Sequence, residues 1–194
     1  MKNIVKSNIT AVILAGGRAT RLQGQDKGLM LFKNKPLITY VSNAIHQDVH
    51  SIWVSANRNI DLYQEFGEVI SDELSDFQGP LAGISAVLKK INTQYLLIVP
   101  CDGPYISKIL VERLAHEMTK NQATLCVASE NNHLHPTFAL IDVAVENSLN
   151  QYLDSGQRKL GKFFKDNNAI EVDFSDHPAL FVNLNSSVDF KTSD

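Results

Sequence analysis

Glycines and basic residues are concentrated in one short segment near the beginning of the chain. Residues 16–28 combine several glycines with Arg18, Arg21 and Lys27, directly after a short apolar run. Glycines let backbone N–H groups approach an anion closely, and cationic side chains can close over it. The segment therefore predicts a phosphate-binding loop, although it contains neither a P-loop motif nor GxGxxG. An ordinary strand-to-helix turn with solvated charges is the alternative interpretation.

A carboxylate follows the most apolar segment of the chain, residues 95–99. Asp102 lies in the sequence VPCDGP (residues 99–104), where it could hold a hard divalent cation such as Mg²⁺. Magnesium takes one or two protein carboxylates and completes its octahedron with phosphate oxygens and water. Asp72, after a different apolar run, offers a second carboxylate or a partner for a nucleotide hydroxyl or base edge. The alternatives are a turn aspartate that caps its own backbone for Asp102, and a solvated loop acid for Asp72.

Histidines and cysteines form weaker patterns. His133 and His135 form an HxH pair, but the spacing supplies no third ligand, so we do not expect a transition-metal site. Cys101 and Cys126 lie too far apart for a CxxC motif and carry no recognisable nucleophile signature. Two isolated cysteines suggest a reducing compartment.

Strands and helices alternate along the chain and would position these residues. Apolar runs predict strands at residues 9–14, 51–56, 69–70, 95–99, 123–128 and 137–141. Helical spacing of apolar residues predicts helices at 37–47, 60–66, 81–91, 109–119 and 143–153. This order predicts an α/β fold with a doubly wound, mostly parallel sheet, followed by an antiparallel hairpin that turns at Asn131-Asn132. Ligands bind such sheets beyond the carboxyl ends of the strands, where residues 16–28, Ser55, Asp72 and Asp102 would all lie.

Length and composition limit the class of protein. The chain has 194 residues, of which 44% are hydrophobic and 20% charged, and this fits one domain spanning residues 1–194 without disulfides. A net charge of −3 provides no positive electrostatic potential for the non-specific binding of nucleic acid. No apolar run approaches the roughly 20 residues of a membrane span, and the N-terminus lacks a signal-peptide pattern. We expect a cytoplasmic globular protein that binds neither nucleic acid nor membrane.

Motifs spread over nearly the whole chain resemble those of one enzyme family. LAGG at residues 14–17, with Arg21 and then DKG at 26–28, is similar to the signature of small nucleotidyltransferases. Further segments resemble the molybdenum cofactor guanylyltransferases, in the family's order: KPL (35–37), ANR (56–58), GPLAG (79–83), PCDGPY (100–105), HPT (135–137), GQR (156–158) and FVNLN (181–185). The resemblance implies a Rossmann-like nucleotidyltransferase fold, with a nucleotide-binding half at about residues 9–120 and a pterin-side half at about 121–190.

The resemblance also implies roles for individual residues. By resemblance, the guanine nucleotide pocket would be lined by Leu14, Ala15 and Gly16. Lys27 would contact the nucleotide phosphates, Asp72 would contact the nucleoside, and Asp102 would bind Mg²⁺. The molybdopterin side would include Arg158, Asn183 and Asn185. The family often has asparagine where this chain has Ser55. A hydroxyl is shorter and offers one donor where an amide offers two, so the guanine contact at Ser55 should be lost or replaced by a water bridge.

The implied reaction is transfer of GMP from GTP to the terminal phosphate of Mo-molybdopterin, yielding molybdopterin guanine dinucleotide and pyrophosphate. Such a reaction needs positioning and charge neutralisation, for which Mg²⁺ on Asp102, Lys27 and Arg21 would be the catalytic set. Cofactor-delivery proteins or molybdoenzyme chaperones would be transient partners. The alternatives are a relative that uses CTP on the same pterin, one that acts on a sugar phosphate, and a nucleotide-binding module without catalysis. The presence of both Lys27 and Asp102 favours an enzyme over the binding module.

Overall fold

A computed structural model describes residues 4–16, 26–71 and 79–184 of the chain. The strands are β1 (Ile9–Leu14), β2 (Leu31–Phe32), β3 (Lys35–Pro36), β4 (Ser51–Ser55), β5 (Glu68–Ile70), β6 (Tyr95–Pro100), β7 (Leu125–Glu130), β8 (His133–Asp142) and β9 (Ile170–Asp173). The α-helices are α1 (Leu37–Ile45), α2 (Ile60–Tyr63), α3 (Pro80–Leu88), α4 (Lys108–Asn121), α5 (Glu146–Asp154) and α6 (Leu160–Asp166). Among the described helices, none has the length and apolarity that a membrane crossing requires.

A seven-stranded sheet of order β5-β4-β1-β6-β8-β7-β9 forms the middle layer. Strands β5, β4, β1 and β6 run parallel, β8 is antiparallel to both of its neighbours, and β9 pairs parallel with β7. The predicted mostly parallel sheet is therefore confirmed. The predicted hairpin is confirmed as β7 and β8, which turn at Asn131 and Asn132 with φ of 48° and 64°, a conformation that asparagine tolerates. Strands β2 and β3 form a separate two-stranded antiparallel sheet.

Helices cover both faces of the sheet, which explains why its central strands are apolar without alternation. In β1, Ile9, Ala11 and Ile13 pack with residues of α1 and α4 on one face. Val12, between them in the chain, packs on the other face with residues of α3, α5 and α6. Successive side chains of a strand point to opposite faces, so a strand buried on both faces is apolar at most positions; the buried Thr10 of β1 is hydrogen-bonded to the hydroxyls of Ser51 and Thr93.

Three short elements had no counterpart in the sequence prediction: the β2–β3 sheet, α6 and β9. Leu160, Phe163 and Phe164 of α6 are all buried and follow the spacing of one helical face. Short helices gain their stability from packing rather than from propensity, so a seven-residue segment gives a weak local signal. Pro36 and Ser107 stand at the N-cap positions of α1 and α4, and neither makes a side-chain cap hydrogen bond.

The strand order reverses at β1, and this creates the crevice where doubly wound sheets bind ligands. After β1 the chain adds β4 and β5 on one side of it, and β6 then pairs with its other side. Leu14, at the end of β1, pairs with Ser55 of β4 and with Pro100 of β6. The carboxyl ends of these three strands therefore open onto one edge of the sheet.

Candidate active site

Residues 14–16 are held between the ends of the two strands that flank β1. The Cys101 N–H donates a hydrogen bond of 3.2 Å to the Leu14 carbonyl, and the Ala15 N–H donates one of 2.8 Å to the Ser55 carbonyl. The ladder of the parallel sheet thus continues one residue past β1 on both sides. The structure therefore brings Leu14, Ala15 and Gly16, the predicted nucleotide-pocket residues, to the crevice.

Polar groups of the β4 end surround Gly16. A Cβ placed on Gly16 would lie 3.6 Å from Asn57 Nδ2, 3.7 Å from the Ser55 carbonyl and 4.0 Å from the Ser55 hydroxyl. Ser55 itself is buried, with 5% of its surface exposed. Asn57, to which the sequence assigns no role, places its amide nitrogen nearer to the Cβ position of Gly16 than the Ser55 hydroxyl is.

Lys27 and Asp102 form an ion pair between the loop after β1 and the turn after β6. The Lys27 ammonium contacts Oδ2 of Asp102, and the two side chains are 26% and 10% exposed. A buried carboxylate without a partner would be costly, and the Lys27 ammonium compensates the Asp102 charge. The structure thus brings together the residues that the sequence analysis assigned to phosphate and metal, although 75 positions separate them in the chain.

The start of the Lys27 segment is anchored by residues that the sequence analysis did not identify. Lys27 begins a 3₁₀ helix (Lys27–Leu29), and Asp26 just before it accepts hydrogen bonds from the Tyr63 hydroxyl and, at 3.0 Å, from Asn59 Nδ2. Tyr63 is fully buried, and burial raises its pKa, with further contributions from nearby Cys101 and Asp26. The Tyr63 hydroxyl therefore stays protonated and donates to Asp26. No local pattern reveals this anchor, since Tyr63 lies 37 residues after Asp26.

The FVNLN segment reaches the same turn from the other end of the chain. The Leu184 N–H donates a 3.2 Å hydrogen bond to the Asp102 carbonyl. Oδ1 of Asn183 lies 3.7 Å from where a Cβ on Gly103 would be. Asn183, predicted to lie on the molybdopterin side, is therefore adjacent to the turn that carries Asp102.

Arg158 lies in the connection between α5 and α6. Its Nη1 donates 2.7 Å hydrogen bonds to the carbonyls of Leu153 and Gln157, and its own carbonyl lies 3.9 Å from a Cβ placed on Gly79. The structure thus places Arg158 beside the beginning of α3. The remaining predicted site residues, Arg21, Asp72 and Asn185, lie outside the described residues.

The donor set at the crevice suits a hard cation that takes few protein ligands. Asp102 contributes a carboxylate at the end of β6, and within residues 4–16, 26–71 and 79–184 no group of three or more His, Cys, Asp or Glu is arranged to hold a metal. Mg²⁺ is commonly bound by one or two carboxylates together with substrate phosphates and water. The residues present therefore fit Mg²⁺ bound jointly by Asp102 and a nucleotide.

Cys101, next to Asp102, does not supply a nucleophile. Burial raises the pKa of its thiol, and the negative charge of Asp102 raises it further. A thiolate is the reactive form of cysteine, and this environment keeps the thiol protonated. Burial likewise raises the pKa of Cys126 to about 12.

Comparison with known proteins identifies relatives over almost the whole chain. Residues 11–170 match the family model described as MobA-like NTP transferase domain. A molybdenum cofactor guanylyltransferase of Histophilus somni is 42% identical over 186 residues, which are 95% of this chain and 95% of that protein. The protein of the same name from Pasteurella multocida is 40% identical over 184 residues, covering 94% of this chain and 97% of that protein.

Solved structures share the fold at lower sequence identity. Molybdopterin-guanine dinucleotide biosynthesis protein A of Archaeoglobus fulgidus superposes with a TM-score of 0.76 at 20% identity, covering 94% of this chain and 95% of that chain. The 2-C-methyl-D-erythritol 4-phosphate cytidylyltransferase of Thermus thermophilus does so with a TM-score of 0.68 at 12% identity, covering 93% and 95%. These matches show a nucleotidyltransferase fold. The sequence relatives and the matching family model establish that the chain belongs to the molybdenum cofactor guanylyltransferase family.

Proposed function

We propose that the chain transfers GMP from GTP to the terminal phosphate of Mo-molybdopterin, forming molybdopterin guanine dinucleotide and pyrophosphate. The observation that carries the proposal is the Lys27–Asp102 pair at the carboxyl ends of β1 and β6. The names of the relatives at 40–42% identity support the choice of guanine nucleotide and molybdenum cofactor.

In the proposed reaction, a phosphate oxygen of molybdopterin attacks the α-phosphorus of GTP. The new O–P bond forms as the bond to the bridging oxygen breaks, and pyrophosphate leaves with the electron pair. A phosphate monoester is largely ionised at neutral pH, so the nucleophile needs no general base. The backbone of residues 14–16 would position the nucleotide, and the Lys27 ammonium would neutralise charge that builds up on the leaving phosphates.

Mg²⁺ is the cation proposed for Asp102. When bound, it would supply charge neutralisation to the phosphates of the nucleotide. The contribution of the chain is to hold the Asp102 carboxylate in place, through the end of β6 and through the hydrogen bond from Leu184 to the Asp102 carbonyl. Asn183, beside Gly103, would then face the second substrate from the FVNLN segment.

The test is pyrophosphate release from purified protein mixed with GTP, Mg²⁺ and molybdopterin. We expect release only when all three are present, and loss of release after chelation of the metal. Greater turnover with CTP would instead indicate the cytidylyl alternative, and turnover with a sugar phosphate in place of molybdopterin would indicate the sugar alternative. Binding of GTP without pyrophosphate release in any mixture would indicate a nucleotide-binding module without catalytic activity.

The proposed product also determines the proposed partners. A guanine dinucleotide cofactor must be passed to another protein after release, so we propose transient contacts with cofactor-delivery proteins or molybdoenzyme chaperones. The nucleotide-binding half (about residues 9–120) and the pterin-side half (about 121–190) stay a proposal of the same kind.

A further inference from the structure

The HPT segment at residues 135–137 lies at an irregularity in the β7–β8 hairpin. Val127 of β7 pairs with Ala139 of β8, yet the next residue, Ala128, pairs with His135. Residues 136–138 are therefore extra on β8 between the two pairs. A bulge of this kind changes the direction of nearby side chains, and it accommodates Pro136, which has no N–H to give to the ladder.

The bulge places the His135 ring flat against Phe181. The two ring centroids are 3.9 Å apart and the ring planes differ by 5°. Phe138 also contacts Phe181, edge to face with centroids 5.1 Å apart, so two residues of one strand hold that ring on two sides. Phe181 itself is buried, with 8% of its surface exposed.

Phe181 begins the segment that contacts the Asp102 turn. It is the last residue of a 3₁₀ helix (Pro178–Phe181). Within the next three residues, Asn183 comes to lie beside Gly103 and the Leu184 N–H donates to the Asp102 carbonyl. A continuous path of contacts therefore links the His135 ring to the turn that carries the candidate metal ligand.

The polar surroundings of His135 lie at the edge of its ring, away from the face that packs on Phe181. Its Nε2 is buried and faces a single carboxylate. The charged and titratable groups facing it are Glu130, whose Oε2 is 3.4 Å from Nε2, and His133, whose ring centroid is 5.1 Å away. Burial and the proximity of His133 lower the pKa of His135, which favours the neutral ring. The neutral ring uses its flat face for the stack on Phe181, and this contact does not depend on the Glu130 carboxylate at its edge.

We propose that His135 is a positioning residue for the second substrate, because its ring stacks on Phe181 and thereby holds residues 181–184 against the Asp102 turn. The inference rests on the proposed function, since it takes the 181–184 segment to serve molybdopterin rather than GTP. Its specific consequence is that loss of the ring affects the pterin substrate and leaves the nucleotide site unaffected.

The test compares His135→Ala, His135→Phe and the control His133→Ala in steady-state kinetics with GTP and molybdopterin. His133 is exposed, and its ring contacts His135 edge to face, so His133→Ala controls for the loss of a neighbouring ring that is not part of the stack on Phe181. For His135→Ala we expect the KM for molybdopterin to rise by about tenfold or more, with the KM for GTP within about twofold of wild type. His135→Phe, which keeps a flat ring, should recover most of the loss.

A second measurement follows the contact itself by amide hydrogen exchange at Leu184. His135→Ala should accelerate exchange of this amide, while His135→Phe and His133→Ala should leave it protected. The inference is overturned if His135→Ala leaves the KM for molybdopterin or the Leu184 exchange unchanged, if both KM values rise equally, or if His135→Phe fails to restore either quantity. A wild-type protein that releases no pyrophosphate would overturn the proposed function instead, and the exchange measurement would still decide whether the stack holds the segment.

Discussion

Asp102 carries the negative charge around which the candidate site is built. Asp102→Asn keeps the shape of the side chain but removes the charge that pairs with Lys27 and that would bind Mg²⁺. We expect turnover to fall by about 100-fold or more, as when a major electrostatic contact to the transition state is removed. Pyrophosphate release measures the effect, and thermal unfolding checks that the variant is folded.

Asp166→Asn is the matched control for this substitution. Asp166 is exposed at the end of α6 and pairs with Lys162 on the surface. The control should keep wild-type turnover, because the pair is exposed to solvent, lies within α6 and has no assigned role in the site. Retention of more than about a third of the activity by Asp102→Asn would remove Asp102 from the mechanism.

Ser55 is the residue at which base selectivity can be tested. Its side chain is buried, and a hydroxyl is shorter and offers fewer donors than the asparagine amide that the family often has there, so direct contact with a base should be weak. We expect Ser55→Ala to change the preference for GTP over CTP and ATP by less than about tenfold, or roughly 1.4 kcal/mol. Asp72→Asn should reduce the preference more. The measurement is kcat/KM for the three nucleotides, and the reverse order of effects would exchange the two assigned roles.

At the scale of elements, substitutions at Gly16 and Gly28 should distinguish an effect on nucleotide binding from an effect on the stability of the fold. A Cβ on Gly16 meets the neighbouring atoms at 3.6 Å or more, which is ordinary contact. A Cβ on Gly28 would lie 2.6 Å from the Tyr63 hydroxyl and 3.2 Å from Cys101 Cβ. Tyr63 is fully buried and hydrogen-bonded to Asp26, so it cannot move aside without breaking that anchor.

Gly16→Ala and Gly28→Ala should therefore have opposite signatures. Gly16→Ala should keep the stability of the wild type within about 0.5 kcal/mol but weaken GTP binding, since the added methyl would occupy the crevice. Gly28→Ala should lower the free energy of unfolding by about 1–3 kcal/mol through overpacking. Urea unfolding and calorimetric titration with GTP provide the two readouts. A destabilised Gly16→Ala with normal GTP affinity would contradict the geometry at the β1 end.

At the scale of the whole molecule, one surface ion pair joins α4 to the segment after β9. Arg113 donates to both carboxylate oxygens of Asp176, at 2.6 and 2.8 Å, and to the Asp173 carbonyl at 2.9 Å. The Arg113 hydrogen bonds hold the pKa of Asp176 at about 2, below the ordinary 3.8. The folded pKa lies below the unfolded one, so the stabilisation is present above the ordinary value and is lost as the pH falls toward about 2.

Asp176→Asn measures this contribution. We expect the variant to be less stable than wild type in urea unfolding at about pH 6, and the difference to shrink at about pH 3. The side chain of Asp176 is exposed, so added salt should also reduce the difference. A difference that stays constant between the two pH values would show that the pair does not set the acid dependence.

The central sheet was predictable because a strand buried on both faces appears in the sequence as a run of consecutive apolar residues. The bounds of β1 agree with the predicted 9–14, and β6 extends the predicted 95–99 by one residue. From these strands, the rule on carboxyl ends places the loop after β1 and the turn after β6 at one edge. That was sufficient to predict Lys27 and Asp102 as parts of one site, and their ion pair is the detail that the fold added.

The contacts that complete the site were decided by tertiary structure. The Tyr63–Asp26 anchor and the His135–Phe181 stack each join residues from different parts of the chain. The periodicity of apolar residues within a segment does not predict contacts between such distant residues. Strand β9 and helix α6 likewise depend on the surfaces they cover. The sequence by itself thus determined six of the seven strands of the main sheet, the edge where they end and the residue types found there. The packing of distant segments decided which side chains touch, because a contact between remote residues forms only when the whole chain has folded.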